Sequence, residues 1–297
     1  MTKIVSFTRI LNEDDIVEAF VRHHAAHVDE MLFLDNGSTD RTLEILQELL
    51  KEGFPLRVFR SHAVSFDEIA VNSWGYQAAS QVLGADWVLF LDADEFVATP
   101  ASAPLVTLLP ADAPVLSLEL ANYGQVGGED AAELVVPWRL RWRMAAPSHV
   151  IKVIARAKIP GLVAGAGNHG VFLQGQEVAP VPLPETWLAH YPRRSAWQAM
   201  QKWAAGRMKA LAAGGQDDYF SQHYISPMRR CATSRVSCCI IPAFSRRNST
   251  NPGRSRRPWP ISAARSLTRP ERSWPEGALR LSAHDRAAGP PAWKIAG

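Results

Sequence analysis

Short apolar runs alternate with longer amphipathic stretches over the first 100 residues. Runs of strand length lie at 4–7, 31–34, 56–59 and 87–91, and apolar residues recur at helical spacing between them, in 16–28, 43–50 and 66–83. Because parallel strands need long connections that are usually helical, this rhythm predicts an α/β fold. We expect a Rossmann-like, mostly parallel sheet that is flanked by helices.

Beyond residue 100 the apolar runs are spaced less regularly. They predict further strands at 115–120, 134–138, 150–155 and 186–190, followed by a helix over 194–212. An Ala/Pro-rich segment after Pro100 leads into these strands, which we interpret as later strands and active-site loops of the same domain. The sequence therefore predicts a single domain over residues 1–228.

Residues 229–297 differ from the rest in composition. They hold 13 Arg and 1 Lys against 3 acids, whereas residues 1–228 hold 18 basic and 26 acidic residues. Arg, Ser and Pro make up 30 of these 69 positions, and no apolar period continues. This pattern predicts either a disordered basic tail or the product of a shifted reading frame near residue 228. An acidic body with a basic tail also argues against nucleic acid as a partner.

The positions of the cysteines and the lengths of the apolar runs predict the disulfide content and the compartment of the protein. All three cysteines, Cys231, Cys238 and Cys239, lie in the tail without the spacing of a disulfide framework or a zinc site. No apolar run approaches the roughly 20 residues that span a bilayer, and the first 15 residues lack a signal-peptide core. We expect a cytoplasmic protein, with contact between the basic tail and the inner face of the membrane as an alternative.

The strongest chemical signal is the segment WVLFLDADEF at 87–96. Ligands of open α/β sheets bind beyond the carboxyl ends of the strands, and Asp92 and Asp94 directly follow an apolar strand. Paired carboxylates suit a hard cation, and such a cation can neutralise the charge that develops on a leaving diphosphate. The pattern predicts that Asp92 and Asp94 hold Mn²⁺ or Mg²⁺. The alternative is that the two acids only cap a helix or form a turn. Glu95 is a supporting group, a base, or only a solvated or capping residue.

Three motifs in order, Leu-Asn-Glu at 11–13, LFLDNGSTDRT at 32–42 and ADWVLFLDADEF at 85–96, resemble the family 2 glycosyltransferases of GT-A fold. The resemblance implies transfer of a sugar from a nucleotide-diphosphate donor to an acceptor hydroxyl, with inversion. It implies that Asn12, Glu13 and Asp35 contact the nucleotide, with Asp92 close to it. The alternative for Asp35 is a residue of an Asx turn.

The resemblance also implies a histidine as a third metal ligand. His149, His169 and His190 are available, and His169 is our choice because flanking glycines allow close approach. The candidates for a diphosphate contact and for the catalytic base are larger sets. The first consists of Lys152, Arg193, Arg194 and Lys202, and the second of Glu119, Glu95, Glu129 and Asp130.

Two other functions compete with sugar transfer. A haloacid-dehalogenase-like phosphatase also places an Asp-x-Asp motif after an apolar strand, although usually early in its chain. A non-catalytic nucleotide-sugar-binding protein would result if the tail replaced the last helices of the domain. Dinucleotide-binding and Walker A glycine motifs are missing from the sequence. The acceptor, which could be a glycan, a lipid or a small molecule, is not specified by any motif.

Overall fold

The computed structural model describes residues 1–61, 63, 67–125, 127, 129–212 and 280–281 of the 297-residue chain. Almost all of the tail predicted over 229–297, including its three cysteines, lies outside these residues. The helices are α1 (Val17–His24), α2 (Thr42–Lys51), α3 (Glu68–Gln77), α4 (Val136–Arg139) and α5 (Ala196–Ala212). The strands are β1 (Ile4–Ile10), β2 (Glu30–Asp35), β3 (Leu56–Ser61), β4 (Trp87–Asp92), β5 (Glu95–Ala98), β6 (Val115–Gly124), β7 (Trp142–Arg143), β8 (Ile151–Arg156), β9 (Leu162–Ala164), β10 (Val171–Leu173), β11 (Gln176–Glu177), β12 (Val181–His190) and β13 (Arg280–Leu281).

The main sheet has a parallel half and a mixed half. Its strand order is β13-β3-β2-β1-β4-β8-β6-β12-β5, and β7 pairs with β6 at one side. All pairings from β13 to β4 are parallel, whereas β8 runs antiparallel to both of its neighbours, and β5 runs antiparallel to β12. Strands β9, β10 and β11 form a separate antiparallel sheet. The predicted α/β class and its parallel Rossmann-like half are confirmed.

Apolar layers cover both faces of the parallel half. Leu89 and Leu91 of β4 pack in one buried cluster, whereas Val88 and Phe90 pack in the other. Such a strand must be apolar at every position, which is why the central strands read as continuous runs rather than as alternating patterns. Helix α1 belongs to the first cluster, and the residues that follow α3 belong to the second.

One sequence prediction of secondary structure is wrong. The segment predicted as a strand at 134–138 contributes to the short helix α4 instead, where Pro137 takes an early helical position that its ring favours. Helix α1 begins at Val17 with no side-chain cap, and Asn12 turns the chain before it in a left-handed conformation with φ of 55°. In the part of the chain that the structure describes, no helix is long and apolar enough to cross a membrane.

The topology concentrates polar groups at one edge of the sheet. Strands β1, β2 and β4 are parallel and in register, so that Arg9 lies beside Asp92 and Ile10 lies beside Asp35. Strand β12, which is parallel to β6 and antiparallel to β5, ends at His190, opposite Glu95 at the start of β5. The carboxyl ends of β1, β2, β4 and β12 therefore meet where the sequence predicts a ligand site.

Candidate active site

The acid pair lies in the tight connection between β4 and β5. The backbone N–H of Asp92 donates to Glu95 Oε2 at 2.9 Å, which holds the turn closed from within. Asp94 and Glu95 are about 1% exposed, whereas 37% of the Asp92 side chain remains accessible. Asp92 therefore faces the open edge of the sheet, and the other two acids support it from the interior.

Lys152 of β8 holds Asp92 in place. Its Nζ lies 2.6 Å from Asp92 Oδ2, 2.8 Å from the carbonyl oxygen of Gly167 and 3.3 Å from Glu95 Oε1. Burial alone would raise the pKa of Asp92, but the charges of Lys152 and Arg9 outweigh it and hold that pKa below its usual range. Asp92 is therefore an anion at neutral pH.

Asp94 is held by cations from the other side of the site. Lys202 Nζ of α5 lies 2.6 Å from Asp94 Oδ2, and Arg194 Nη1 lies 3.5 Å from the same oxygen. Burial opposes ionisation of Asp94, but Lys202, His190 and Arg194 lower its pKa well below the usual range. The two aspartates thus keep separate cationic partners, although they are close enough to repel each other.

His190 lies next to Asp94 Oδ1, the carboxylate oxygen that Lys202 does not contact. The His190 Nδ1–H donates to Asn122 Oδ1 at 2.8 Å, and burial lowers the pKa of His190 to about 4, so the ring is neutral. Its Nε2 then carries a lone pair, which lies 3.7 Å from Asp94 Oδ1. No hydrogen-bond donor of the described residues reaches Asp94 Oδ1, which is buried.

Two buried acceptors that face each other indicate room for a shared cation. Asp94 Oδ1 and His190 Nε2, with Asp92 at the open side, supply oxygen and imidazole donors of the kind that Mn²⁺ accepts. The Asn122 side chain orients the imidazole, as second partners of metal-binding histidines do. Within the described chain no three His, Cys, Asp or Glu side chains already converge as a metal site. Asp94 and His190 thus supply two donors that fit a divalent ion, and the accessible Asp92 lies two residues before Asp94 in the same turn.

His169, the histidine chosen from the sequence, occupies a different place. It is exposed, its Nδ1–H donates to the carbonyl oxygen of Ile151 at 2.8 Å, and its Nε2 lies against Gly167. Its link to the acid pair is electrostatic, since the charges of Lys152 and Asp92 act on the pKa of His169. His190 is the histidine in contact with an acid of the pair, and His149 is exposed.

The residues predicted to contact the nucleotide shape the loops at this edge. Asn12 Oδ1 accepts from Thr39 N at 2.8 Å and so ties the loop after β1 to the loop after β2. Asp35 is fully buried, accepts from Gly37 N and Ser38 N, and lies 3.3 Å from Arg60 Nε. This is the Asx-turn geometry that the sequence left open as the alternative.

Glu13 is turned inwards. Its carboxylate accepts from Arg194 Nη2, and burial raises its pKa to about 7 against the pull of that guanidinium. Arg194 also donates to both oxygens of Asp15, at 2.9 Å each. Glu13 thus belongs to a buried network behind Asp94, and its contact with a nucleotide stays a prediction.

The candidate bases lie in different surroundings. Glu95 is buried beneath Asp92, and burial raises its pKa to about 8 despite the attraction of Lys152, which favours a supporting role. Glu119 is exposed on β6 and lines a cavity to which Asp92 and Asp94 do not contribute. Glu129 accepts from the backbone N–H of Gly127 at 2.9 Å, and Asp130 accepts from Ala132 N. None of the four is brought beside the acid pair at its exposed side, so the base stays unassigned.

Three of the four predicted diphosphate contacts lie at the acids. Lys152, Lys202 and Arg194 all pair with Asp92 or Asp94, whereas the guanidinium of Arg193 lies over the ring of Trp203 at 5.9 Å. Sequence reasoning missed the role of Asn122, since an asparagine in a strand carries no signal until its neighbour is known. It also missed Lys209, which approaches the carbonyl oxygen of Asn36 at 3.5 Å and whose pKa burial lowers to about 8.

Comparison with solved structures finds similar architectures at low sequence identity. GalNAc-T7 with UDP, GalNAc and Mn²⁺ is 15% identical over 64% of this chain and 44% of its own length, with a TM-score of 0.40. This chain therefore spans less than half the length of that protein. Glucosyl-3-phosphoglycerate synthase from Mycobacterium tuberculosis, with Mn²⁺, UDP-glucose and phosphoglyceric acid, is 20% identical over 73% of this chain and 82% of its own, with a TM-score of 0.35. The mannosyltransferase PcManGT from Pyrobaculum calidifontis, with GDP-mannose and Mn²⁺, is 12% identical over 81% and 78%, with a TM-score of 0.40.

Sequence comparison finds a match to one protein family. No curated protein is significantly similar to the chain as a whole. The family model described as glycosyl transferase family 2 matches residues 8–153, which include the loops after β1 and β2, the acid pair and Lys152. The resemblance to the family 2 glycosyltransferases is therefore confirmed over residues 8–153.

Proposed function

We propose that this protein transfers a sugar, with inversion and with the help of Mn²⁺ or Mg²⁺, from a nucleotide-diphosphate donor to an acceptor hydroxyl. The observation that carries the proposal is the unpaired Asp94 Oδ1 facing the lone pair of His190 Nε2 at 3.7 Å, beside the accessible Asp92. An acid pair that only capped a turn would have its oxygens occupied by backbone N–H groups. The family match over residues 8–153 supports the reaction class.

In this proposal Asp92, Asp94 and His190 hold the metal. When bound, the ion would neutralise negative charge that develops on the leaving diphosphate. Asn122 keeps the lone pair of His190 directed at the site through the 2.8 Å hydrogen bond to Nδ1. The Arg194 network with Glu13 and Asp15 fixes the position of Asp94 from behind.

Lys152 and Lys202 supply positive charge at the same edge. Each lies 2.6 Å from an oxygen of one aspartate. In the absence of donor these contacts offset the repulsion between the two acids. A diphosphate that enters beside Asp92 would meet two ammonium groups, which attract phosphate oxygens as point charges.

The loops after β1 and β2 are the proposed nucleotide pocket. Asn12 and Asp35 rigidify these loops, so their contribution is to present backbone groups and neighbouring side chains to the base and ribose. We propose a glycan, a lipid or a small molecule as the acceptor. We also propose that the reaction takes place in the cytoplasm, with the inner face of the membrane as an alternative.

A donor-hydrolysis screen tests this function. UDP-, GDP- and dTDP-sugars are incubated with the full chain and Mn²⁺, and release of nucleoside diphosphate is measured. Asp92→Asn and Asp94→Asn are each expected to lower the rate by at least about 100-fold, comparable to loss of one strong transition-state contact. Asp112→Asn, at an exposed position, is the matched control and should retain full activity.

Three outcomes would contradict the proposal. If turnover survives both substitutions, Asp92 and Asp94 take no part in the reaction. Hydrolysis of simple phosphate esters without use of any nucleotide sugar would indicate a phosphatase. Thermal stabilisation by UDP and Mn²⁺ without turnover would indicate a protein that binds nucleotide sugars but does not transfer them.

A further inference from the structure

A cavity of about 350 Å³ lies between β6, β7 and β12. Its floor includes Glu119 and Trp187, which are direct neighbours across the parallel pair of β6 and β12. Asn122 and His190, three positions further along the same two strands, are direct neighbours as well. Because side chains alternate along a strand, the two pairs point to opposite faces of the sheet. The cavity is therefore separated from the acid pair by the sheet itself.

The wall of the cavity is built by an irregular part of β12. The register with β6 shifts between Pro182 and Trp187, and Glu185 within this bulge has a left-handed φ of 52°. Thr186 Oγ1 donates to the carbonyl oxygen of Pro184 at 3.1 Å, which closes the bulge locally. Bulges of this kind redirect side chains near ligand sites. Here the bulge places Glu185 and Thr186 on the cavity lining next to Trp187.

The lining combines groups that together suit a polyhydroxyl ligand. The half-buried indole of Trp187 offers an apolar face, the exposed Glu119 and Glu185 offer carboxylate acceptors, and Arg143 offers a guanidinium donor. Sugar rings present C–H groups on one face and hydroxyls around their edge, and hydroxyls both donate and accept. Two carboxylates against one guanidinium leave the lining negative, which disfavours phosphate and nucleotide.

We propose that this cavity is a saccharide-binding site, distinct from the site of sugar transfer. Its volume lies at the small end of the range for ligand pockets, which matches one or two sugar rings rather than a large ligand. Trp187 is the stacking platform, and Glu119, Glu185 and Arg143 bind hydroxyl groups. The proposal does not depend on the transfer reaction, because the two sites lie on opposite faces of the sheet.

Saturation-transfer difference NMR with maltose, lactose and chitobiose at about 10 mM tests this site, since such sites bind with dissociation constants on the order of 1 mM. At least one of these sugars is expected to give a saturable signal. Trp187→Ala should weaken its binding about tenfold, and Glu119→Gln severalfold. If Trp187→Ala lowers the melting temperature enough to unfold the protein, Glu119→Gln provides the decisive variant because its side chain is exposed.

Matched controls separate this site from the rest of the molecule. Trp197→Phe alters an exposed tryptophan on α5, and Glu48→Gln alters an exposed acid on α2. Neither should change binding. Asp92→Asn should abolish transfer without changing saccharide binding, so the two proposals can fail independently. The proposal would be overturned if none of the three sugars gives a signal, or if neither cavity variant weakens binding. It would also be overturned if the cation tetramethylammonium binds in place of sugars, because the negative lining would then select a cation.

Discussion

At the scale of single residues, the chemistry of the site depends on which groups carry a proton. The neutral His190 presents a lone pair to Asp94 only because Asn122 accepts from its other nitrogen. Without that hydrogen bond the ring could turn or take the other tautomer and donate to Asp94 Oδ1, which would close the proposed metal position. One amide oxygen in β6 thus decides what a histidine at the end of β12 can bind.

Substitution of His190 and Asn122 tests this arrangement. His190→Ala is expected to weaken Mn²⁺ binding to the full chain by at least about tenfold, and Asn122→Ala by about 10-fold to 100-fold, because both remove the directed lone pair. Binding is measured from the loss of the free Mn²⁺ signal in electron paramagnetic resonance. His169→Ala is the matched control and should bind Mn²⁺ nearly as well as the unchanged protein. A larger loss for His169→Ala than for His190→Ala would restore His169 as the ligand.

At the scale of elements, α3 packs directly onto the central strand β1. Gly75 is the point of closest approach, since a Cβ at this position would lie 2.4 Å from the ring of Phe7. Phe7 is fully buried and packs edge-on against Trp74 and Phe90, at 5.9 and 6.5 Å between ring centroids. The ring therefore cannot move aside without disturbing the second core cluster.

Gly75→Ala is expected to lower the free energy of unfolding by about 1–3 kcal/mol, the usual cost of overpacking a core. Helix propensity alone would predict the opposite sign, a gain of about 1 kcal/mol. Chemical denaturation measures the difference. Gly53→Ala is a useful comparison, because nothing lies within 4 Å of a Cβ there and only its φ of +93° opposes the change. A stabilised Gly75→Ala protein would show that α3 can shift away from β1.

At the scale of the whole molecule, buried titratable groups set the pH range in which the fold is stable. His23 and His24 of α1 and His27, three residues after it, are buried, and burial lowers the pKa of His23 to about 3 and that of His27 to about 4. Their protonation favours the unfolded chain. Glu13 and Glu95 act in the other direction, because burial raises their pKa values to about 7 and about 8.

The free energy of unfolding is therefore expected to be greatest near pH 6.5. As pH falls from 6.5 to 4, the unfolded chain binds protons on histidines that the folded chain keeps neutral, and stability decreases. Glu13 and Glu95 lower stability as pH rises from 4.5 to about 8, because over this range the folded chain binds more protons on them than the unfolded chain does. Below pH 6.5 the buried histidines, His24 included, outnumber these two acids, whereas above pH 6.5 the two acids act alone and stability decreases again. Denaturant unfolding across this range measures the curve.

Replacement of a single histidine tests the cause of the stability loss between pH 6.5 and 4. His27→Gln should remove at most about 3 kcal/mol of the loss between pH 6.5 and 4, since a shift of one pKa unit corresponds to about 1.4 kcal/mol. His149→Gln, at an exposed position, should leave the curve unchanged. If the His27→Gln protein loses as much stability between pH 6.5 and 4 as the unchanged protein, protonation of His27 does not contribute to that loss.

Much of the fold could be predicted from local pattern. The strands β1 to β4 and helices α1 to α3 are readable because continuous apolar runs and helical spacing follow directly from burial on two faces or on one. The mixed half was harder to predict. Strand β5 directly follows the acid turn, and α4 replaces a predicted strand, because short apolar segments with proline fit several structures until their neighbours are known.

The sequence by itself determined the parallel half of the sheet and the placement of Asp92 and Asp94 at its carboxyl edge. Spacing alone fixes both, since an apolar strand that is followed by polar residues must end where the turn begins. Only the tertiary structure decided which distant groups meet these acids. These groups are His190 rather than His169, the orienting Asn122, and the partners Lys152, Lys202 and Arg194. Each lies 60 to 108 residues along the chain from the residue of the acid pair, or from the His190, that it contacts. Their meeting depends on the order in which β8, β6 and β12 pair in the mixed half of the sheet, and pairing between strands leaves no local signature in the chain.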